Sequence, residues 1–176
     1  MLIHPLVTDT ATLEQLCARW ASADFVAVDT EFMRESTYYP DLCLVQVACP
    51  NEAAAIGQDL EIIYNLTGRT PQPLFDTQVA AMALGLGEQI GYTNLVAAYS
   101  NIQIDKGARF TDWARRPLND RQLEYAIGDV THLAKIFPRM VEKLRRTGRG
   151  EWLDEEMARV SDPATYANAE GAGALA

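Results

Sequence analysis

The chain has 176 residues, 48% of them apolar, which suits one globular domain with a core of its own. A formal net charge of −9 at pH 7 excludes a protein that coats nucleic acid by bulk attraction, and leaves room for an enzyme whose acidic cluster is neutralised by bound metal. Cys17, Cys43 and Cys49 show neither C-x-x-C spacing nor an even count, and no apolar run approaches the ~20 residues of a membrane span; a reduced, cytoplasmic, soluble protein with no membrane partner is expected.

Within residues 8–22, Leu13, Leu16, Cys17 and Trp20 recur at helical spacing, with Thr10 or Asp9 as cap. An apolar, β-branched run over 25–32 predicts a strand, a polar connection fills 34–41, and 42–49 predicts a second strand that closes a hairpin on the first. A third short strand over 51–56 is followed, after only Gly57 and Gln58, by a helical pattern over 59–66 that Gly68 stops. Helices are predicted over 75–86 and 92–99. The loop over 102–118 mixes Lys106, Arg109, Arg115 and Arg116 with Phe110 and Trp113, which suits a nucleic-acid strand, since cations meet phosphates and rings stack on bases. An ordinary surface loop with a buried Trp anchor fits the same residues. The last long helix starts at the cap Asn119, with Gln122 three residues on, and runs to about Arg146, with a kink allowed at Pro138. After Gly150, an acidic segment and the Ala- and Gly-rich tail 168–176 read as frayed or disordered.

The chemistry concentrates where the first strand ends. Residues i and i+2 of a strand share a face, so Asp29 and Glu31 present their carboxylates side by side. Their repulsion is relieved by a proton or by a cation between them, and hard oxygen ligands suit Mg²⁺ or Mn²⁺. A solvated turn after a strand would also carry such a pair. On the last helix, Tyr125 and Asp129 stand at i and i+4, beside the apolar stripe of Leu123, Ile127, Val130, Ala134 and Phe137. That pair alone also fits a surface hydrogen bond. With Asp59 at the start of its helix the chain offers four carboxylates and a phenol, enough to hold two divalent cations of the kind that hydrolyse phosphodiesters.

The segments V-D-T-E-F, Q-D-L-E-I-I-Y-N-L, P-Q-P-L-F-D-T-Q, T-D-W-A-R-R-P-L and Y-A-I-G-D-V-T-H-L, in that order, resemble ribonuclease D of the DEDD superfamily of 3′-to-5′ exonucleases, tyrosine subclass. The resemblance covers roughly residues 5–160, and the tail 161–176 lies outside it. It implies an α/β, ribonuclease H-like fold, a mixed sheet flanked by helices. It also implies stepwise release of nucleoside monophosphates from RNA 3′ ends, transfer-RNA precursors being the usual substrate. Carried over, Asp29, Glu31, Asp59 and Asp129 would ligate two Mg²⁺ or Mn²⁺ ions and Tyr125 would orient the attacking water. Phe32 would pack on the terminal nucleotide. Lys106, Arg109 and Trp113 of the mixed loop are the further residues expected to meet the RNA, and Asp76 is read as structural.

The chain departs from the family between 56 and 58, where about thirty residues that form a helix and a central strand are absent, and it is expected to hold the nuclease core without the helical C-terminal domains. The absent strand is the one beside Asp29's strand, so an apolar edge is left open there and self-association through it is expected. Alternatively residues 51–56 move into the vacant place. Two functional readings stay open: an exonuclease assembled despite the deletion, or an inactive homologue serving as a metal-binding or interaction module.

Overall fold

The computed structural model of the chain describes residues 1–33, 41–55, 72–88, 90–104, 107–162 and 164, with Thr10 and Asp41 described in their backbone only. The elements in order are β1 (Leu2–Ile3), α1 (Thr10–Trp20), β2 (Ala27–Met33), β3 (Asp41–Ala48), β4 (Glu52–Ala55), α2 (Thr77–Ala83), α3 (Tyr92–Ser100), α4 (Asp120–Thr147) and α5 (Gly150–Ser161). The helix expected over 59–66, with Asp59, lies outside the described residues, as do Lys106 and the tail from 165. The chain divides into two units, Met1–Asp59 with Gln103–Ile136, and Leu60–Ile102 with Phe137–Ala176.

The first unit is built on a mixed sheet ordered β1-β4-β3-β2 among the described residues. The expected hairpin is present: β2 and β3 are antiparallel, with Ala27 opposite Ala48, Asp29 opposite Gln46 and Glu31 opposite Leu44, and an irregularity follows between Glu31 and Phe32. The described part of the segment 51–56, β4, does not take the place beside β2. Instead β4 pairs with β3 on its other side, Gln46 opposite Ala55 and Ala48 opposite Ala53, and receives β1 in parallel. Among the described residues β2 is therefore the sheet edge. The β1 strand escaped the sequence pattern because two residues are too few to show a period. His4 and Arg19 both bind Glu52, at 2.6 Å and 3.1 Å, which ties the segment after β1 and the helix α1 to β4.

Alternation sends the two faces of the sheet to different partners. Leu44, Ala48, Ala53 and Ala55 on one face pack with Ala126, Ile127, Val130 and Ala134 of α4 and with Trp113 and Leu118. On the other face, Ala54 and Val47 pack with Leu16 and Trp20 of α1. The α1 cap is Asp9, whose Oδ1 accepts the Thr12 N–H at 2.8 Å. The start of α4 is a reciprocal box: Gln122 N–H donates to Asn119 Oδ1 at 3.0 Å and Asn119 N–H donates to Gln122 Oε1 at 3.1 Å. The same Gln122 is buried and its amide donates to Thr111 Oγ1 and the Asp112 carbonyl, so the loop before α4 is fastened to the helix that it feeds.

In the second unit, Asp76 caps α2 through Gln78 N–H at 2.7 Å and Val79 N–H at 3.3 Å, the structural role expected of it. Arg149 donates to the Ala83 carbonyl at 2.7 Å, and Phe75 meets Phe137 edge to face with centroids 4.8 Å apart. The segment after Gly150 is not frayed over its first turns. It forms α5, which buries Leu153, Met157 and Ser161, because Leu153 and Met157 at i and i+4 make an apolar stripe within the acidic run. Helix α4 continues through Pro138 as one element.

Candidate active site

Four of the candidate side chains come from two elements of the first unit. Asp29 and Glu31 occupy the face of β2 that also carries Ala27, opposite Gln46 and Leu44 of β3. The Asp29 carboxylate accepts the N–H of Thr30 at 2.9 Å, which fixes one of its oxygens against the strand. Tyr125 and Asp129 lie one turn apart on the part of α4 that packs on this face, and Asp129 is 4% exposed.

The electrostatics of Tyr125 bring these groups together. Burial is the first cause that pushes its phenol well above the ordinary value, and the negative charges of Asp129, Glu31 and Asp29 follow, with a hydrogen bond to Asp129. The charges of three acids, from a strand and a helix, thus act on one hydroxyl, which stays protonated at neutral pH. The donors are hard oxygens, the chemistry that Mg²⁺ and Mn²⁺ prefer. Among the described residues no three His, Cys, Asp or Glu side chains make up a metal-holding group by themselves, and Asp59, the fourth expected ligand, lies outside those residues.

The residues expected to meet RNA divide. Trp113 is 1% exposed and belongs to the core, its ring 6.1 Å from that of Tyr125. It is the buried anchor of its loop, with no face open for a base. Arg116 holds that anchor by donating to the Trp113 carbonyl at 2.7 Å and to the Cys43 carbonyl of β3. Phe32 is exposed next to Glu31. Arg109 is exposed and lies 5.2 Å over the ring of Phe110, its neighbour in the mixed loop, which is 89% exposed.

The pattern of the 3′-5′ exonuclease family matches residues 5–57 and 53–145. The chain belongs to this family. A ribonuclease D from Sphingobium indicum is 62% identical over 197 residues, covering 96% of this chain and 51% of the relative. One from Zymomonas mobilis is 55% identical over the same length, with 96% and 50% covered. Escherichia coli RNase D, an exoribonuclease involved in structured RNA processing, superposes with a TM-score of 0.83 at 31% identity, covering 90% of this chain and 51% of that one. The chain thus spans about half the length of the curated relatives it matches. The Sphingobium alignment is about 28 positions longer than the part of this chain it takes in, and the family match breaks at 53–57; both agree with the deletion read between 56 and 58.

Proposed function

We propose that this chain is the nuclease core of a cytoplasmic 3′-to-5′ exoribonuclease that releases nucleoside monophosphates from RNA, the 3′ ends of transfer-RNA precursors being its substrates. What supports the reading most is the placement of Asp29 and Glu31 on the sheet face that α4 packs against, with Tyr125 and Asp129 one turn apart on that helix. The relatives named ribonuclease D and the Escherichia coli fold support it. Brucella melitensis NrnC with bound Mg²⁺, alike in fold with a TM-score of 0.72 at 21% identity, accords with a magnesium-bearing site on this scaffold.

Asp29, Glu31, Asp129 and Asp59 would hold two Mg²⁺ or Mn²⁺ ions. When bound, such a pair lowers the pKa of an attacking water and neutralises charge on the leaving 3′-oxygen. Tyr125, protonated and hydrogen-bonded to Asp129, holds that water in line with the scissile phosphate. The Trp113 ring against Tyr125 limits the angles the phenol can take. Phe32 stacks on the terminal nucleotide, and Lys106 and Arg109 draw the phosphate backbone to an otherwise acidic molecule.

Digestion of a 5′-labelled RNA tests the reading. A ladder shortening from the 3′ end with mononucleotide products is expected, and blocking that end with a 3′-phosphate is expected to slow it. Internal cuts, or no cleavage by folded protein, would overturn it. The gap at 56–58 favours a second reading, an inactive homologue acting as an interaction or metal-binding module, and folded protein that binds metal or RNA without shortening the RNA is its signature.

A further inference from the structure

Phe110 is the most exposed large apolar side chain among the described residues, at 89%. A single exposed apolar residue is ordinary on a protein surface, so its setting has to carry the argument. The segment that bears it is held on both sides. Ala108 before it and Trp113 after it are buried, and Thr111 bonds back to the Ala108 carbonyl through both its N–H and its hydroxyl. The Asp112 carboxylate accepts the Ala114 and Arg115 N–H groups, which closes the next turn. The same stretch is fastened to α4, since the buried Gln122 amide donates to Thr111 Oγ1 at 3.2 Å. Gln122 lies about one helical turn before Tyr125, and the Trp113 ring is 6.1 Å from the Tyr125 ring. The fold thus holds an aromatic ring out in solvent, on an anchored loop, beside the helix that bears the candidate catalytic phenol.

We propose that Phe110 is a stacking platform for an unpaired base of the RNA strand, upstream of the nucleotide being released, with Arg109 beside it for the phosphate. The inference rests on the exonuclease reading given above and deepens it, because it makes a single-stranded stretch before the 3′ end part of what the protein recognises. Arg109 lies 5.2 Å over one face of the ring, and at 89% exposure the other face is open to a base. The pair sets a positive charge against a stacking surface on a chain whose net charge is −9, the combination that holds single-stranded nucleic acid. Every base has a π-face, so a platform of this kind is tolerant of sequence. Phe32, on β2 next to Glu31, is the ring assigned to the terminal nucleotide. A second ring, on the loop before α4, therefore meets a base further from the 3′ end, the role that the buried Trp113 of the same loop is not free to fill.

Fluorescence anisotropy of a 5′-labelled ten-residue oligoadenylate tests this, in Mg²⁺ and in the Asp29→Asn background so that the RNA stays intact. Stacking on an aromatic ring is worth enough that Phe110→Ala is expected to weaken binding about 5- to 100-fold, with Phe110→Trp restoring it. The ring is in solvent, so melting points are expected to match the parent. Titration with salt separates the two side chains: Phe110→Ala is expected to keep the slope of log Kd against log salt, and Arg109→Gln to lower it by about 0.7. Competition by unlabelled diadenylate is expected to show a smaller penalty for Phe110→Ala than the ten-residue RNA does. Undiminished binding by folded Phe110→Ala overturns the proposal, as does an equal loss with the dinucleotide, or a loss that Phe110→Trp does not restore. Wild type that binds RNA with this dependence on Phe110 yet shortens none would bring down the exonuclease reading and leave the platform standing, whereas wild type that neither binds nor shortens RNA would bring down both.

Discussion

Asp29 and Glu31 cannot separate without giving up the pairing of β2 with β3, since Asp29 is locked opposite Gln46 and Glu31 opposite Leu44. Their mutual repulsion is built into the strand and would be relieved by bound cations. Asp29→Asn is therefore expected to abolish turnover while leaving the thermal midpoint of the metal-free protein unchanged or slightly raised; gross unfolding of the variant, or an undiminished rate, would count against the assignment. Tyr125 has a different part. Its hydroxyl stays protonated through neutral pH, and Tyr125→Phe is expected to slow hydrolysis about 10²- to 10⁴-fold with Mn²⁺ affinity largely retained, as single-turnover rates and titration would show. Trp113 supports that phenol from the core. Trp113→Ala is expected to destabilise the fold by about 3–5 kcal/mol, measured by denaturant unfolding, and an effect on RNA affinity alone would reinstate it as a stacking residue.

Elements differed in how much of them the sequence disclosed, and the difference follows from how local their causes are. The α4 start was legible because a capping box is a rule of four residues, Asn119 to Gln122. The β2–β3 hairpin was legible because each strand carries an apolar run, Phe25 to Val28 and Leu42 to Val45. By contrast β1 exists through parallel pairing with a segment about fifty residues away, and α5 buries Leu153 and Met157 where it packs with α2, a helix remote in sequence. Trp113 was ambiguous because a ring among cations serves stacking and anchoring alike until its burial is known. The tie across β1, α1 and β4 makes a prediction of its own. Hydrogen bonds from Arg19 first and then His4 hold Glu52 below the usual carboxylate range. A carboxyl with a lowered native pKa adds stability above its unfolded value, which is lost as pH falls from the ordinary glutamate range toward the native one. Melting points taken from pH 7 down to pH 3 should therefore fall less steeply for Glu52→Gln than for wild type, and parallel curves would contradict the linkage.

For the molecule as a whole, the deletion leaves β2 at the edge of the described sheet, with Val26 and Val28 each more than 40% exposed. An apolar edge strand is a template for another strand, and a second copy offers the same strand for two-fold antiparallel pairing. Sedimentation velocity is expected to show association that grows with concentration and is weakened by Val28→Lys, whereas a single monomeric species over a hundredfold range would refute it. The central claim, that Asp29, Glu31, Asp129 and Tyr125 make up a metal-dependent nuclease centre, is tested most directly by incubating 5′-labelled RNA with wild type and Asp29→Asn, in Mg²⁺ and in excess chelator. The account predicts stepwise shortening from the 3′ end by wild type in Mg²⁺ and by neither protein otherwise; shortening that persists in chelator, or that Asp29→Asn retains in full, would contradict it.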